Sequence, residues 1–398
     1  MPNESKSSEH SEPILQKKIE WKEYRFSDFV EINPSVKIPR DVPVPFVEMK
    51  DLNGFDRYCI SSHTRVLGGG SRFCNGDTLF ARITPCLENG KICQVRGLKN
   101  GYGFGSTEFH VFRGREGISD SDFVYYLSKT DDVRSHAEIN LEGTSGRQRV
   151  SKEAFDNLYL SLPPLSEQKR IASILSSLDD KIDLLHRQNA TLEAMAETLF
   201  RHHFIENPKP NWKEVPLSAY GKIVCGKTPS KKESKYFGGA IPFIKIPDMH
   251  NKVFVFDTED SLTEEGLSSQ MGKTLPPQSI AVSCIATVGL VVLNAKKAQT
   301  NQQINSIIPD RDEYRYFLYL SLKNMYEELN AMASGGTATL NLNTRNFSGI
   351  LLAHPNDGCL EQFHGQVSLF FKKIFVNEIQ IKNLSILRNS LIKNLLQV

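Results

Sequence analysis

The chain has 398 residues, 39% of them hydrophobic and 24% charged, a composition that builds buried cores and excludes a disordered or fibrous protein. Its 48 Lys and Arg barely outnumber its 46 Asp and Glu, and a formal charge of +2 excludes a protein that coats nucleic acid by bulk charge. Seven cysteines, an odd number without a CxxC pair, argue against a disulfide framework and a zinc site; Cys86 and Cys93 read as buried thiols, and the expected compartment is the reducing cytoplasm.

In chain order, residues 1–20 carry Glu4, Lys6, Glu9, Glu12, Lys17 and Lys18 without an apolar core, and read as a mobile tail and not a secretory signal. Residues 21–162 read as a strand-rich domain, with short apolar runs such as Thr78–Ile83 and Leu158–Leu162 between Gly, Pro, Asn and Asp turns. Pro163 and Pro164 close it, and a long helix is expected over 163–205. Its seam of Ile171, Leu175, Leu178, Ile182, Leu185, Asn189, Leu192, Ala196 and Leu199 steps alternately by four and three, as a coiled coil does.

Residues 206–357 read as a second strand-rich domain. Its least polar stretch, Ser279–Leu293, is shorter than the roughly 20 residues that span a bilayer and reads as one or two buried strands, so no membrane association is expected. A second long helix is expected over 358–398, with a looser seam of Val367, Phe370, Ile374, Asn377, Ile381, Leu384, Arg388, Leu391, Leu395 and Val398. Helices of some 40 residues reach roughly 60 Å at 1.5 Å per residue, the length of a spacer. Asn189 and Asn377 are polar residues within these seams and are candidates for setting register.

Laid on itself, the sequence repeats once. Trp21-Lys22-Glu23 returns as Trp212-Lys213-Glu214, Pro45-Phe46-Val47 through Asp51 as Pro242-Phe243-Ile244 through Asp248, Tyr126-Leu127-Ser128 as Tyr319-Leu320-Ser321, Gly143-Thr144 as Gly336-Thr337, and Glu167-Gln168 as Glu361-Gln362. The expected class is α+β: two related strand-rich domains separated by two long antiparallel helices that form an intramolecular coiled coil with pseudo-twofold symmetry.

Leu162-Pro163-Pro164-Leu165-Ser166-Glu167-Gln168-Lys169-Arg170-Ile171-Ala172 resembles the central region of type I restriction-modification specificity subunits. Gly226-Lys227-Thr228-Pro229-Ser230 and Tyr236-Phe237-Gly238-Gly239-Ala240-Ile241-Pro242-Phe243-Ile244 resemble the opening of that family's target-recognition domain. The likeness runs from about Trp21 to Val398; it departs where the first half lacks the Gly-Lys-Thr-Pro-Ser opening and where His354-Pro355-Asn356 replaces the second proline stretch. It implies that each domain reads one half of a bipartite, asymmetric double-stranded DNA site while the helices set the gap. It also implies two S-adenosylmethionine-dependent adenine methyltransferase subunits and ATP- and Mg2+-dependent translocating nuclease subunits as partners, with no cofactor or metal on this chain.

Base readout needs Arg for guanine and Asn or Gln for adenine, with Ser and Thr on phosphates. The loop before the last strand of each domain has this chemistry: Thr144, Ser145, Arg147, Gln148 and Arg149 in the first, and Thr337, Thr339, Asn341, Asn343 and Arg345 in the second. Arg65, Arg72, Arg82, Lys91, Lys227, Lys245 and Lys252 are further candidates. Ile174, Ile379 and Ile386 flank the seams as candidate partner surface.

Catalytic motifs are missing. Asn33-Pro34-Ser35 and Asn207-Pro208-Lys209 lack the second proline and the aromatic of a base-flipping methyltransferase, and Pro247-Asp248 and Pro309-Asp310 lack the acidic-x-Lys continuation of a nuclease. Gly221–Thr228 has the spacing of a phosphate-binding loop, which keeps a P-loop NTPase as an alternative, yet neither a preceding strand nor a following helix is expected there. A coiled-coil adaptor that binds only proteins is the third possibility.

Overall fold

Two copies of one strand order organise the chain. The structure, a computed structural model, describes residues 20–334 and 339–396. Val398, Thr337 and the N-terminal tail up to residue 19 lie outside them. The chain divides into two compact units: residues up to Asp183 with those from Asn383 onward, and Leu184–Lys382.

The first unit is built on a five-stranded sheet in the order Val30–Ile32, Phe109–Gly114, Thr78–Ala81, Ile92–Val95, Tyr58–Cys59. All its pairings are antiparallel except the last, Tyr58–Cys59 on Ile92–Val95. Side chains alternate across the pleat. Leu79, Cys93, Val95 and Val111 face Val47, Leu52 and Phe73, whereas Phe80, Ile92 and Phe112 face helix Ser121–Ser128 and the long helices. A four-stranded sheet, His63–Val66, Pro43–Val47, Tyr102–Gly105, Ser71–Cys74, covers one side. Lys22–Arg25 pairs with Tyr159–Leu162.

The second unit repeats this order: Gly221–Cys225, Ile304–Pro309, Ile280–Ser283, Val291–Asn294, Phe254–Val255, again antiparallel except at the last strand. Ser279–Leu293 is thus largely a strand pair. Lys213–Pro216 pairs with Leu351–His354, as Lys22–Arg25 does with Tyr159–Leu162. The repeated Pro-Phe segment has a structural reason: it ends in a 3-10 turn whose aspartate caps the entry. Asp51 accepts the Glu48 amide at 2.8 Å, and Asp248 the Lys245 amide at 2.8 Å.

The two long helices run Leu165–Phe200, continued by a π-helical turn over Arg201–Glu206, and Asp357–Leu395. They pair antiparallel within each unit. In the first, Ile171, Ala172 and Leu175 share the sheet's core with Ile392 and Leu396, and Asp179 meets Arg388. In the second, Phe200 meets Phe363 at 6.3 Å between ring centroids, and Asn377 donates to Asn189 at 2.8 Å. Asn189 in turn donates to Glu378 at 2.9 Å, so the two seam asparagines face each other.

Along the seams Ile171, Leu175, Ile182, Leu185, Asn189, Ala196, Val367, Ile374, Asn377, Ile381 and Arg388 are buried, while Leu178, Leu192, Leu199 and Leu384 are partly exposed. One correction applies to the second helix: Phe371, Ile392 and Leu396 are buried, and the expected Phe370, Leu391 and Leu395 only partly so. A straight helix turns by 3.6 residues and drifts from a strict heptad, and its apolar stripe widens where it enters a domain core.

Candidate nucleic-acid interface

In each unit one loop is stitched by the same backbone hydrogen bonds to the turn that follows the central strand. In the first, Val150 donates to the Arg82 carbonyl at 2.9 Å, Thr84 donates to the Gln148 carbonyl at 3.0 Å, and Ile83 bridges Arg149. In the second, Leu342 donates to the Cys284 carbonyl at 2.8 Å, Ala286 to the Leu340 carbonyl at 3.0 Å, and Ile285 bridges Asn341. A third segment joins from the start of the neighbouring strand: Arg82 donates to the Glu108 carbonyl at 3.0 Å, and Cys284 to the Gln303 carbonyl at 2.8 Å. A rigid sheet thereby presents exposed polar loops, the usual arrangement of a binding surface.

In the first unit this geometry gathers Arg82, Thr144, Ser145, Arg147, Gln148 and Arg149. Thr144, Ser145 and Arg147 are exposed. Gln148 is held through its amide, which donates to the Thr84 hydroxyl at 3.0 Å. Arg149 forks onto Glu108, with Nε at 2.9 Å and Nη2 at 2.7 Å from its oxygens, and this guanidinium holds the Glu108 carboxyl below the usual range. The fork is charge-assisted and bidentate, so it fixes the plane of the guanidinium. The Arg82 Nε is buried without a partner among the described residues.

Arg65, Arg72 and Lys91 lie elsewhere. Arg65 and Arg72 sit on the two edge strands of the four-stranded sheet. Arg65 covers the Phe46 ring at 4.7 Å, and Arg72 reaches the Val36 carbonyl at 3.5 Å. Lys91 donates to the Met49 carbonyl at 2.9 Å.

In the second unit Thr339, Asn341, Asn343 and Arg345 lie together and are exposed, with Asn343 capping helix Thr344–Ser348 through the Asn346 amide at 2.9 Å. Lys227 is exposed, its amide donating to the Thr300 carbonyl at 2.9 Å. Lys245 is engaged by two carboxylates of a separate segment, 2.9 Å from Asp260 and 3.4 Å from Glu259.

Asn301, Gln302 and Gln303 belong to the same surface and were not among the sequence candidates. Asn301 donates to the Gln303 carboxamide oxygen at 2.9 Å, and the Thr228 hydroxyl donates to that of Gln302 at 2.8 Å. Gly226 lies so close to this turn that a Cβ there would stand 2.1 Å from the Asn301 carbonyl oxygen, so the position demands glycine. Glu108 was missed likewise. Extending the internal repeat to align Ser106-Thr107-Glu108-Phe109 with Asn301-Gln302-Gln303-Ile304 would have found both.

The phosphate-loop spacing is accounted for by the sheet. Gly221–Cys225 is itself a strand, paired with Ile304–Pro309, and only a short 3-10 turn over Ser234–Tyr236 follows, so the loop does not open directly into a helix as a phosphate-binding loop does. Among the described residues no cluster of His, Cys, Asp and Glu is arranged to hold a metal, and no helix is long and apolar enough to cross a membrane.

Comparison with known proteins agrees with this geometry. The family model for the type I restriction modification DNA specificity domain matches twice, over residues 18–194 and 209–358. The type I restriction enzyme HindI specificity subunit of Haemophilus influenzae is 33% identical, with 95% of this chain and 99% of that protein covered. The EcoAI specificity subunit of Escherichia coli is 31% identical over 49% of this chain and 35% of its own length. Among solved structures, the type I restriction-modification S subunit of M. genitalium shares the fold, with a TM-score of 0.58 at 16% identity, covering 96% of this chain and 97% of that one. The duplicated sheet, the paired loops and these matches together place the chain in the family of type I restriction-modification specificity subunits, a non-catalytic component with two target-recognition domains.

Proposed function

We propose that this chain selects the DNA sequence for a type I restriction-modification complex, residues 21–162 reading one half of a bipartite site and residues 206–357 the other. The observation that carries the reading is the twofold occurrence of one construction: a polar loop tied to the same turn and the same strand end in both units. A duplicated reader with different loop side chains suits a site whose halves differ. The long helices over 163–205 and 358–398 are the spacer between the halves, and the Asn189–Asn377 pair fixes their register.

Exposed apolar side chains on these helices, Ile174, Ile379 and Ile386 at 37%, 39% and 59% exposure, are the surface on which two adenine methyltransferase subunits dock. S-adenosylmethionine then belongs to those subunits, ATP and Mg2+ to the translocating nuclease subunits, and the whole to the cytoplasm.

The test is to map methylated adenines in a host that carries this chain and its methyltransferase. A split motif with a fixed gap is expected. Insertion of one heptad into each long helix adds roughly 10 Å at 1.5 Å per residue, and the gap should lengthen by about three base pairs at 3.4 Å each. A chain that binds the methyltransferase yet leaves methylation unaltered would be a protein adaptor.

A further inference from the structure

The two interfaces share a backbone and differ in chemistry. The matching hydrogen bonds align Arg82 with Cys284, Glu108 with Gln303, Gln148 with Leu340 and Arg149 with Asn341. The first unit therefore places an Arg, a Glu and an Arg where the second places a Cys, a Gln and an Asn.

In the first unit Glu108 holds Arg149 in a bidentate fork. The pair is electrically neutral as a whole, so it offers little to a phosphate, while its guanidinium plane is set before any ligand arrives. Glu108 takes the Nε–Nη2 edge and Nη1 also donates to the Arg147 carbonyl at 3.2 Å, so the edge left for a ligand is Nη1–Nη2. The parallel N–H groups of that edge match the O6 and N7 acceptors on the major-groove edge of guanine.

At the aligned positions of the second unit stand carboxamides. Asn341 and Gln302 are exposed and Gln303 is half-buried. Asn301 braces Gln303 on two sides, donating to its side-chain oxygen at 2.9 Å and accepting its backbone amide at 3.1 Å, and Thr228 orients Gln302. A carboxamide presents a donor beside an acceptor, the complement of adenine N6 and N7.

We infer that the two half-sites differ in kind: Arg149, buttressed by Glu108, specifies a guanine in the half met by the first unit, and Asn341 with Gln302 and Gln303 specifies adenine in the half met by the second. The inference rests on the proposed reading of bipartite DNA and deepens it to the bases recognised. Exposed Arg147 and Arg345 are left to the phosphates.

The experiment is methylation mapping of the complete complex with the unaltered chain and with R149A, R149K, E108Q and N341A. R149A and R149K should each accept other bases at one guanine position of one half-site, with discrimination falling about tenfold or more. E108Q should relax the same guanine to a smaller degree, because the fork loses its buttress, and N341A should relax an A·T pair in the other half alone. The inference is overturned if R149A or R149K lowers methylation equally at all sites, if either relaxes a position that is not guanine, or if R149K keeps the full motif, since a point charge would then suffice. Should R149A abolish methylation altogether, R149K and E108Q decide by the same criteria. A wild-type split motif with variants that relax the wrong bases defeats the inference alone, whereas absence of any split motif defeats the proposed function and the inference with it.

Discussion

Each unit docks a tyrosine, from the helix behind its sheet, onto a carboxylate of the first long helix, and the two junctions are then completed in different ways. In the first, the Tyr126 hydroxyl donates to Asp179 at 2.6 Å and accepts from Arg57 at 3.2 Å. Arg388 of the second long helix closes the network 2.5 Å from Asp179, with both side chains buried. Arg57 is buried as well and pairs with Asp122 at 2.6 Å. In the second, the Tyr319 hydroxyl donates to Glu193 at 2.8 Å, and the half-exposed Lys323 bridges Glu193 and Glu197 at 2.6 and 2.7 Å. Tyr316 stacks on Phe371 at 4.1 Å and Tyr319 meets the same ring edge-on at 5.5 Å. One fold thus carries a buried ionic junction in one copy, and in the other a half-exposed lysine pair backed by packed aromatic rings. The ionic junction gains direction and pays in sensitivity, because each buried charge depends on its partner.

The largest expected effect breaks that ionic junction. Asp179→Ala leaves Arg388 buried and unpaired and should cost about 3–5 kcal/mol. Hydrogen exchange should report the loss in helix Ser121–Ser128 of the first unit, with Tyr314–Asn324 of the second unchanged. Equal loss in both would mean that the units unfold as one cooperative body.

Acid sharpens the comparison next. His110 donates Nε2–H to the Val150 carbonyl at 2.9 Å, while the aligned bond of the second unit comes from Asn305, whose amide donates to Leu342 at 3.3 Å. Burial pushes His110 down to about 4 from its ordinary 6.5. Because the unfolded chain takes up the proton first, the neutral form's contribution is complete above pH 6.5 and is lost as the pH falls toward 4, by up to about 3 kcal/mol. The first unit should therefore soften in this window, and His110→Asn should flatten the profile; an unchanged profile would show that another group governs it.

The smallest effect belongs to the second unit. Burial raises the Glu378 carboxyl above its ordinary range, so the folded state holds that proton longer, and stability falls as the pH rises from 4.5 through the raised value. Glu378→Gln keeps an acceptor for Asn189 and should stabilise the neutral-pH protein by about 1 kcal/mol or less, with no difference below pH 4.5. A loss at neutral pH would show that the charge itself is needed.

The duplication was legible because short motifs return in order, and several of them proved to be structural: Asp51 and Asp248 as turn caps, Tyr126 and Tyr319 as junction hydroxyls. The candidate interface was legible only in part. The loops around Arg147 and Asn341 declare themselves by local polarity, but Glu108 and the Asn301–Gln303 turn lie far from them in sequence and join them only when the sheet closes. Lys91 and Lys245 carry the right charge, yet their contacts are a nearby carbonyl and two nearby carboxylates.

Sequence alone determined what repeats locally: the α+β class, two related domains, two long helices with heptad seams and the family they resemble. The class, the domains and the helices follow from side-chain period, repetition and composition, and the resemblance from particular motifs such as Leu162–Ala172; none of these needs knowledge of distant partners. Tertiary structure decided which face of the second helix is buried around Phe371 and Ile392, and which residues complete each candidate surface. It also decided that Arg149 stands braced where the other unit has Asn341. Such facts depend on pairings between segments far apart in the chain, and a hydrogen-bond register between strands is fixed by the packed core and not by the residues that happen to be neighbours in sequence.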